Sequence, residues 1–516
     1  MTTSLWPSPV ADRTNGSAPD GEPDGQLPAR MRPAGATRRR PPRPQRWVSL
    51  FRLTHPAWPV AALLAAYPLW WALGFGDFIF LAMAVPMVIR MVTWRAKRGR
   101  PIRVPPGFGW WALFLVVAVA GATTLSLTAP ETISSAVGTR WLSWAVRLVS
   151  YLSVTVLLLY TGNLTERELP RRRLAWLLGF AAIYTTVGGV AGVLAPHLSF
   201  NSPLLLLLPH HVQANPYILA EMHPSLAQVQ NVFGETAANG RPDAPFPYTN
   251  TWGNCIALLL PFLITAWWIR GTRTQRRIAV AVLAVSIVPI IYSLNRGLWL
   301  ALIFSVLYLA VRLAARGRTA LLAAICAGLL VAVLVVLVTP LQSLITQRLA
   351  NGHSNARRGQ TALISIEDAR ASPLVGFGDT RHEAGSVSSI AVGRTAKCPQ
   401  CGEVSVGNNG QLWLLLICSG FLGAALYLGF FAFGTLRFWR DDSPEGIAGV
   451  LVLLLTFVFM VAYDAVGAPL GFTMVAYALL WRNEQARRDR PRRVQPGHPL
   501  IGGPLIGGRA RARRAR

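Results

Sequence analysis

The chain has 516 residues, 52% of them hydrophobic and 14% charged, and a formal net charge of +28. A soluble protein carries roughly a quarter charged residues, so the composition excludes an ordinary soluble globule. The positive charge sits in tails and loops beside apolar blocks, without the aromatic interleaving that stacks bases, which points away from nucleic acid as a partner.

Residues 1–55 are rich in Pro, Gly and Arg, including Arg38-Arg39-Arg40 and Pro41-Pro42. They cannot build a core and are expected to form a disordered basic tail on the cytoplasmic side. A transmembrane domain is predicted over residues 56–481, because its apolar blocks run to about 17–25 residues, the length that crosses a hydrocarbon core. The first two spans are Pro59–Leu73 and, after the turn Gly74-Phe75-Gly76-Asp77, a segment ending near Val92. The basic loop Arg95–Arg103 follows, then spans at Trp110–Leu127, Trp141–Tyr160 and Leu174–Leu194. Between the last two lies the basic stretch Glu166–Arg173.

Residues 196–250 form a long outside segment in which Leu204–Leu208 is too short to span. Further spans are predicted up to about Ile269, and at Ile278–Ser293, Leu298–Ala310, Thr319–Thr339, Gln411–Gly434, Ile447–Tyr463 and Pro469–Trp481. Basic and weakly basic loops alternate along the chain. The expectation is an all-α polytopic integral membrane protein of about twelve spans with both termini cytoplasmic. Residues 340–409, between the ninth and tenth spans, are expected to be a long extracytoplasmic capping loop. Residues 482–516 are expected to be a second disordered basic tail.

Several polar groups fall at the outer ends of spans. Arg296, in Asn295-Arg296-Gly297, either grips a phosphate with two parallel hydrogen bonds or snorkels and fixes a helical hairpin. Gly297 admits a ligand or a neighbouring helix. Arg357 and Arg358 lie on an outside loop, where positive charge gains nothing during insertion. They serve either a ligand or a solvated face. Asn408 and Asn409 orient a sugar hydroxyl or cap a helix; alone, the cap is the simpler reading. Asp464 and Arg147 are charges at membrane depth, and such groups are functional candidates by default. Cys398 and Cys401 suit a disulfide on an outside loop better than half a zinc site, with His382 and His353 as the only nearby imidazoles. No phosphate-binding Gly-rich loop precedes a Lys-Ser/Thr pair, so ATP-driven chemistry is not expected.

Three stretches carry a resemblance: Ser293-Leu-Asn-Arg-Gly-Leu-Trp-Leu-Ala-Leu302; Asn355-Ala-Arg-Arg358 followed by Ser372-Pro-Leu-Val-Gly-Phe-Gly378; and the return helix Gly410–Gly423. Pro247-Tyr-Thr-Asn250 adds to them. Over roughly residues 245–480 the chain resembles the O-antigen ligase and O-antigen polymerase family of bacterial membrane glycosyltransferases. It departs from that family where His-Asn is common, carrying Asn408-Asn409 instead.

The resemblance implies transfer or polymerisation of a glycan from a polyprenyl diphosphate onto an acceptor glycan or lipid hydroxyl, at the outer face of the plasma membrane. It implies no cofactor or metal, since arginines would neutralise the leaving group. Arg296 would hold the diphosphate, and Arg357 or Arg358 the diphosphate or glycan. Asn408 and Asn409 would position the acceptor or the loop. His382 and Asp464 are the candidates for general base. Two other classes fit the same layout: a transporter or flippase of glycolipid or small solute, and a non-catalytic glycan-assembly protein.

Overall fold

The computed structural model describes residues 50–130, 132, 137–213, 216–230, 239–317, 353–384 and 403–489, with isolated positions between 319 and 346. Most of both predicted tails, most of the predicted ninth span, and Cys398 and Cys401 lie outside the described residues.

The described chain is mostly helical. In order, α1 (Trp58–Ala65), α2 (Tyr67–Leu73), α3 (Phe78–Arg98), α4 (Phe108–Ala120), α5 (Val137–Asn163) and α6 (Arg171–Leu194) precede three short helices, α7 (Pro203–Leu206), α8 (His210–Gln213) and α9 (Pro216–Met222). A small antiparallel hairpin follows, β1 (Ala227–Gln230) paired with β2 (Asn239–Pro242) in the register Ala227↔Pro242. Then come α10 (Thr249–Phe262), α11 (Arg273–Tyr292), α12 (Arg296–Ala314), α13 (His353–Ala371), and the hairpin of β3 (Arg381–Ala384) and β4 (Glu403–Val406). The helices α14 (Gln411–Phe438), α15 (Pro444–Phe459) and α16 (Ala468–Arg488) complete it. Among the described residues, seven helices are long and apolar enough to cross a membrane, and two shorter apolar helices, Phe108–Thr124 and Pro444–Phe459, join them.

Two predicted boundaries move for identifiable reasons. The first span is broken at Ala66, which has non-helical backbone angles. Pro68 lacks the N–H that would continue the ladder, and its ring crowds the carbonyl four residues earlier. The last helix runs past Trp481 to Arg488, because Arg482 and Asn483 are buried in polar contacts instead of opening into a tail.

The centre of the bundle is formed by α10, α14 and α16. The α10 segment through Ile269 is 78% buried and α14 is 72% buried, whereas α11 and α12 are only 22% buried and form the periphery. Every residue of α16 from Ala468 to Asn483 is buried. An aromatic cluster of Trp111, Phe114, Tyr151, Tyr427, Phe430 and Phe431 joins α4, α5 and α14. Its neighbouring rings meet tilted or edge-on, and the edge-on contacts are ones that aromatic quadrupoles favour. Trp111 satisfies its indole N–H on Thr155 at 2.7 Å.

Polar contacts fall at two opposite ends. At one end the predicted basic loops meet. Arg100 pairs with Glu168 (3.2 Å), Arg171 with Glu166 (2.8 Å), Arg482 with Glu166 (3.0 Å), Arg437 with Glu484 (2.7 Å) and Arg487 with Asp441 (2.7 Å). Arg270–Glu445 and Arg316–Asp442 add to them. At the other end the weakly basic segments meet. Glu221 accepts from the Asp77 backbone N–H (2.8 Å), and Asp77 accepts from Ala468 N–H (3.0 Å). Arg241 donates to the Ser293 carbonyl (2.7 Å), and Gly297 N–H donates to the Tyr463 hydroxyl (3.1 Å). The alternation of loop charge along the sequence is thus an alternation between two ends of one bundle.

Candidate functional site

The second end holds the candidate site, and the segment after α13 builds one wall of it. The run Pro373–Gly378 is wedged into a break in α14. Gly420, at φ +66° and ψ −173°, interrupts that helix. The interruption frees the carbonyls of Ile417 and Cys418, which accept from Phe377 N–H (2.7 Å) and Gly378 N–H (3.2 Å). It also frees the N–H of Leu422, which donates to the Pro373 carbonyl (3.1 Å). Buried backbone groups must be paired, so wedge and break satisfy one another. Glycine is required on both sides of the joint. A Cβ on Gly376 would lie 2.5 Å from Ser419 N, and one on Gly420 would lie 2.5 Å from the Pro373 carbonyl oxygen. Within the stretch expected to cap the bundle, Pro373–Gly378 is thus packed into a bundle helix.

The wedge carries Asp379 and Arg381. Asp379 accepts from Arg147 on α5 at 2.9 Å, and the same guanidinium donates to the Gly378 carbonyl (3.2 Å) and Cys418 Sγ (3.2 Å). Arg381 is fully buried and donates to the carbonyls of Phe377, Asp379, Thr380 and Leu127. Burial, with Arg140 nearby, pulls its pKa down.

Beside this lies the turn between α15 and α16, which ties down the start of α14. Gln411 N–H donates to the Tyr463 carbonyl (3.0 Å) and Leu412 N–H to the Met460 carbonyl (2.9 Å). The Gln411 side chain donates to Tyr151 Oη (3.2 Å) and accepts from Ala465 N–H (3.0 Å). Within this turn the Asp464 carboxyl lies near the Gly410 N–H and feels the charges of Arg147 and Arg358. Its Oδ1 has no hydrogen-bond partner among the described residues. Burial, opposed by the two arginines and the nearby Gly410 N–H, pushes Asp464 up to about 7. Such a carboxyl can take or give a proton near neutrality.

Tyr463 connects Asp464 to the α11–α12 turn. Its hydroxyl donates to Asn295 Oδ1, and Asn295 also caps α12 by accepting from Leu298 N–H at 2.9 Å. The Arg358 guanidinium lies 5.7 Å from the centre of the Tyr463 ring. Gly297 is small because of Tyr463: a Cβ there would lie 2.5 Å from the ring. Asn295 is 1% exposed, yet its Nδ2 has no partner among the described residues.

The residues singled out by sequence thus separate. Arg358 lies over the ring of Tyr463, next to Asp464 in the chain, and its charge bears on Asp464. Arg296, half-buried, opens α12 one residue before the Gly297–Tyr463 contact. The side chain of Arg357 lies outside the described residues. Asn409 donates to Thr361 Oγ1 on α13 at 3.2 Å, while Asn408 is exposed. The expected Asn cap on α14 is absent: Gly410 occupies that position and no side chain caps the helix. His382 is exposed on β3, opposite Ser405, whereas Asp464 is half-buried.

Asp379, Tyr463, Gln411 and Asn295 complete the cluster, and sequence reasoning assigned none of them a role on its own. The signal within reach was Arg147, a charge at depth that needed a carboxylate. No family model, curated protein or solved structure matches this chain.

Proposed function

We propose that the chain is a bacterial plasma-membrane glycosyltransferase that transfers or polymerises a polyprenyl-diphosphate-linked glycan onto an acceptor hydroxyl. In this reading both termini are cytoplasmic, about twelve helices span the membrane, and the Asp464 end faces outward. The observation that carries the proposal is Asp464, a half-buried carboxyl whose buried Oδ1 has no partner among the described residues and whose pKa is raised to about 7, within the electrostatic reach of Arg358, which lies over the neighbouring Tyr463 ring. A transfer of this kind needs two things in one place: a base for the acceptor proton and positive charge for the departing diphosphate.

In the proposed step the acceptor oxygen bonds to the anomeric carbon while the bond from that carbon to the diphosphate oxygen breaks. The acceptor proton passes to Asp464. The electron pair leaves with the lipid diphosphate, neutralised by Arg358 and Arg296. His382, being exposed, serves this step less well than Asp464.

A transporter reading draws on the broken helices α1–α2 and α14, since discontinuous helices build transport sites. The break at Gly420 speaks against it, because the Ile417 and Cys418 carbonyls are already taken by the wedge.

In cells, Arg358→Ala and Arg296→Ala should each abolish surface glycan assembly while the protein stays in the membrane. Normal glycan in both variants would remove the proposed anion-binding role.

A further inference from the structure

At the end of the bundle opposite Asp464, the loop after α3, the last turn of α5 and the end of α16 enclose a cavity of about 310 Å³, whose lining includes Arg100, Arg103, Asn163, Glu166, Arg482 and Gln485. Arg482 is 4% exposed. Its Nη2 donates to Glu166 at 3.0 Å and to the Leu169 carbonyl, but its Nη1 has no hydrogen-bond partner among the described residues. A buried guanidinium N–H without an acceptor is costly, and an anionic oxygen is its natural complement.

Arg103 supplies a second cation. Its backbone is held by Asn163, which accepts from its N–H (2.9 Å) and donates to its carbonyl (2.8 Å). Its exposed guanidinium makes no hydrogen bond or ion pair among the described residues. Arg100 is already committed, stacked 4.7 Å from the Trp94 ring centre and paired with Glu168, so it frames the cavity. Of the two acids at the cavity, Glu166 is shared between Arg171 and Arg482, and Asp489 is exposed at the rim. Exposed Ile102 (40%) and Val104 (54%) flank Arg103, and an apolar pair around a free cation suits a loop seated at a lipid surface.

We infer that this cavity is a phosphate-binding site, taking either the headgroup phosphate of an anionic phospholipid or free phosphate through Arg482 Nη1 and Arg103. Basic pockets between transmembrane helices bind anionic headgroups by this chemistry.

The test uses the full chain in detergent, followed by thermal unfolding and titrated with water-soluble dihexanoyl phosphatidylglycerol or with inorganic phosphate. A saturable rise in melting temperature is expected. Saturation by the lipid alone identifies the headgroup as the source, and equal saturation by inorganic phosphate identifies the free ion. Arg103→Gln, at an exposed position, should weaken half-saturation about fivefold. Arg95→Gln, which removes the same charge from the last turn of α3, outside the cavity, should leave it unchanged. No saturable shift with either ligand, an Arg103→Gln curve superimposed on wild type, or equal weakening by Arg95→Gln would each overturn the inference. Arg482→Gln is the more direct variant, but its ion pair with Glu166 makes loss of folding a competing result, so Arg103 decides.

Discussion

At the scale of single residues, the site is a matter of which buried charges are paired. Arg147 and Asp379 are 15% and 7% exposed and meet at 2.9 Å. Removing one partner of a buried pair strands the other, at about 3–5 kcal/mol. Asp379→Ala should therefore cost about 3 kcal/mol in detergent unfolding. The double variant Arg147→Met/Asp379→Leu should recover most of that loss, since a well-packed apolar pair is often as stable as the ion pair it replaces. Asp464 behaves in the opposite sense. Its folded pKa, about 7, lies above its unfolded value, so between about pH 4 and about pH 7 the folded chain binds more protons than the unfolded one and stability falls as pH rises. Asp464→Asn should flatten that fall, measured as melting temperature against pH beside wild type. Asp77, Glu221 and Asp243 are raised by burial too and will leave a residual slope. An unchanged slope in the variant would show that Asp464 is already ionised across this range. Arg147 and Asp464 were legible as charges at depth; Asp379 was not, because its partner is 232 positions away and no periodicity links a wedge to a helix.

At the scale of elements, the joint between Pro373–Gly378 and α14 fixes the site's geometry. It holds Asp379 against Arg147 and carries α13 alongside, so Arg358 reaches Tyr463. Gly420→Ala should disrupt this joint, since a Cβ at φ +66° costs about 1–2 kcal/mol before its 2.5 Å approach to the Pro373 oxygen is counted. The expected outcome is a lower melting temperature and faster tryptic cleavage after exposed Arg370. Cleavage at the wild-type rate would show that the wedge tolerates the change. The hydropathy of α14 marked a span, and the glycines of the wedge marked unusual backbone. Their meeting was hidden, because it consists of main-chain hydrogen bonds that any side chains small enough to allow them would permit. The first span hid its break for a related reason: Pro68 lies inside an apolar run that a length criterion joins across.

At the scale of the whole molecule, loop charge carried the most information. Each loop predicted as basic meets others like it at one end of the bundle, and those pairs span residues as distant as Arg171 and Asn483. Helix length sets the separation of the two ends, with the 21 residues of α3 covering about 30 Å. A cysteine placed at Arg95 in a cysteine-free background should be labelled by an impermeant maleimide only after the inner face is opened. One at Asn408 should be labelled in intact cells; labelling of both from outside would contradict the proposed orientation.

The central claim is that the end holding Asp464 transfers glycan, and the most direct measurement is single-turnover transfer by the purified chain in liposomes. The donor is the polyprenyl-diphosphate glycan of its own host, with no nucleotide added. The account predicts transfer by wild type, a rate that rises with pH through about 7 as Asp464 becomes able to accept a proton, and a loss of at least about a hundredfold in Asp464→Asn with donor binding retained. Transfer undiminished in Asp464→Asn, or a wild-type chain that binds the donor and never transfers it, would contradict the account.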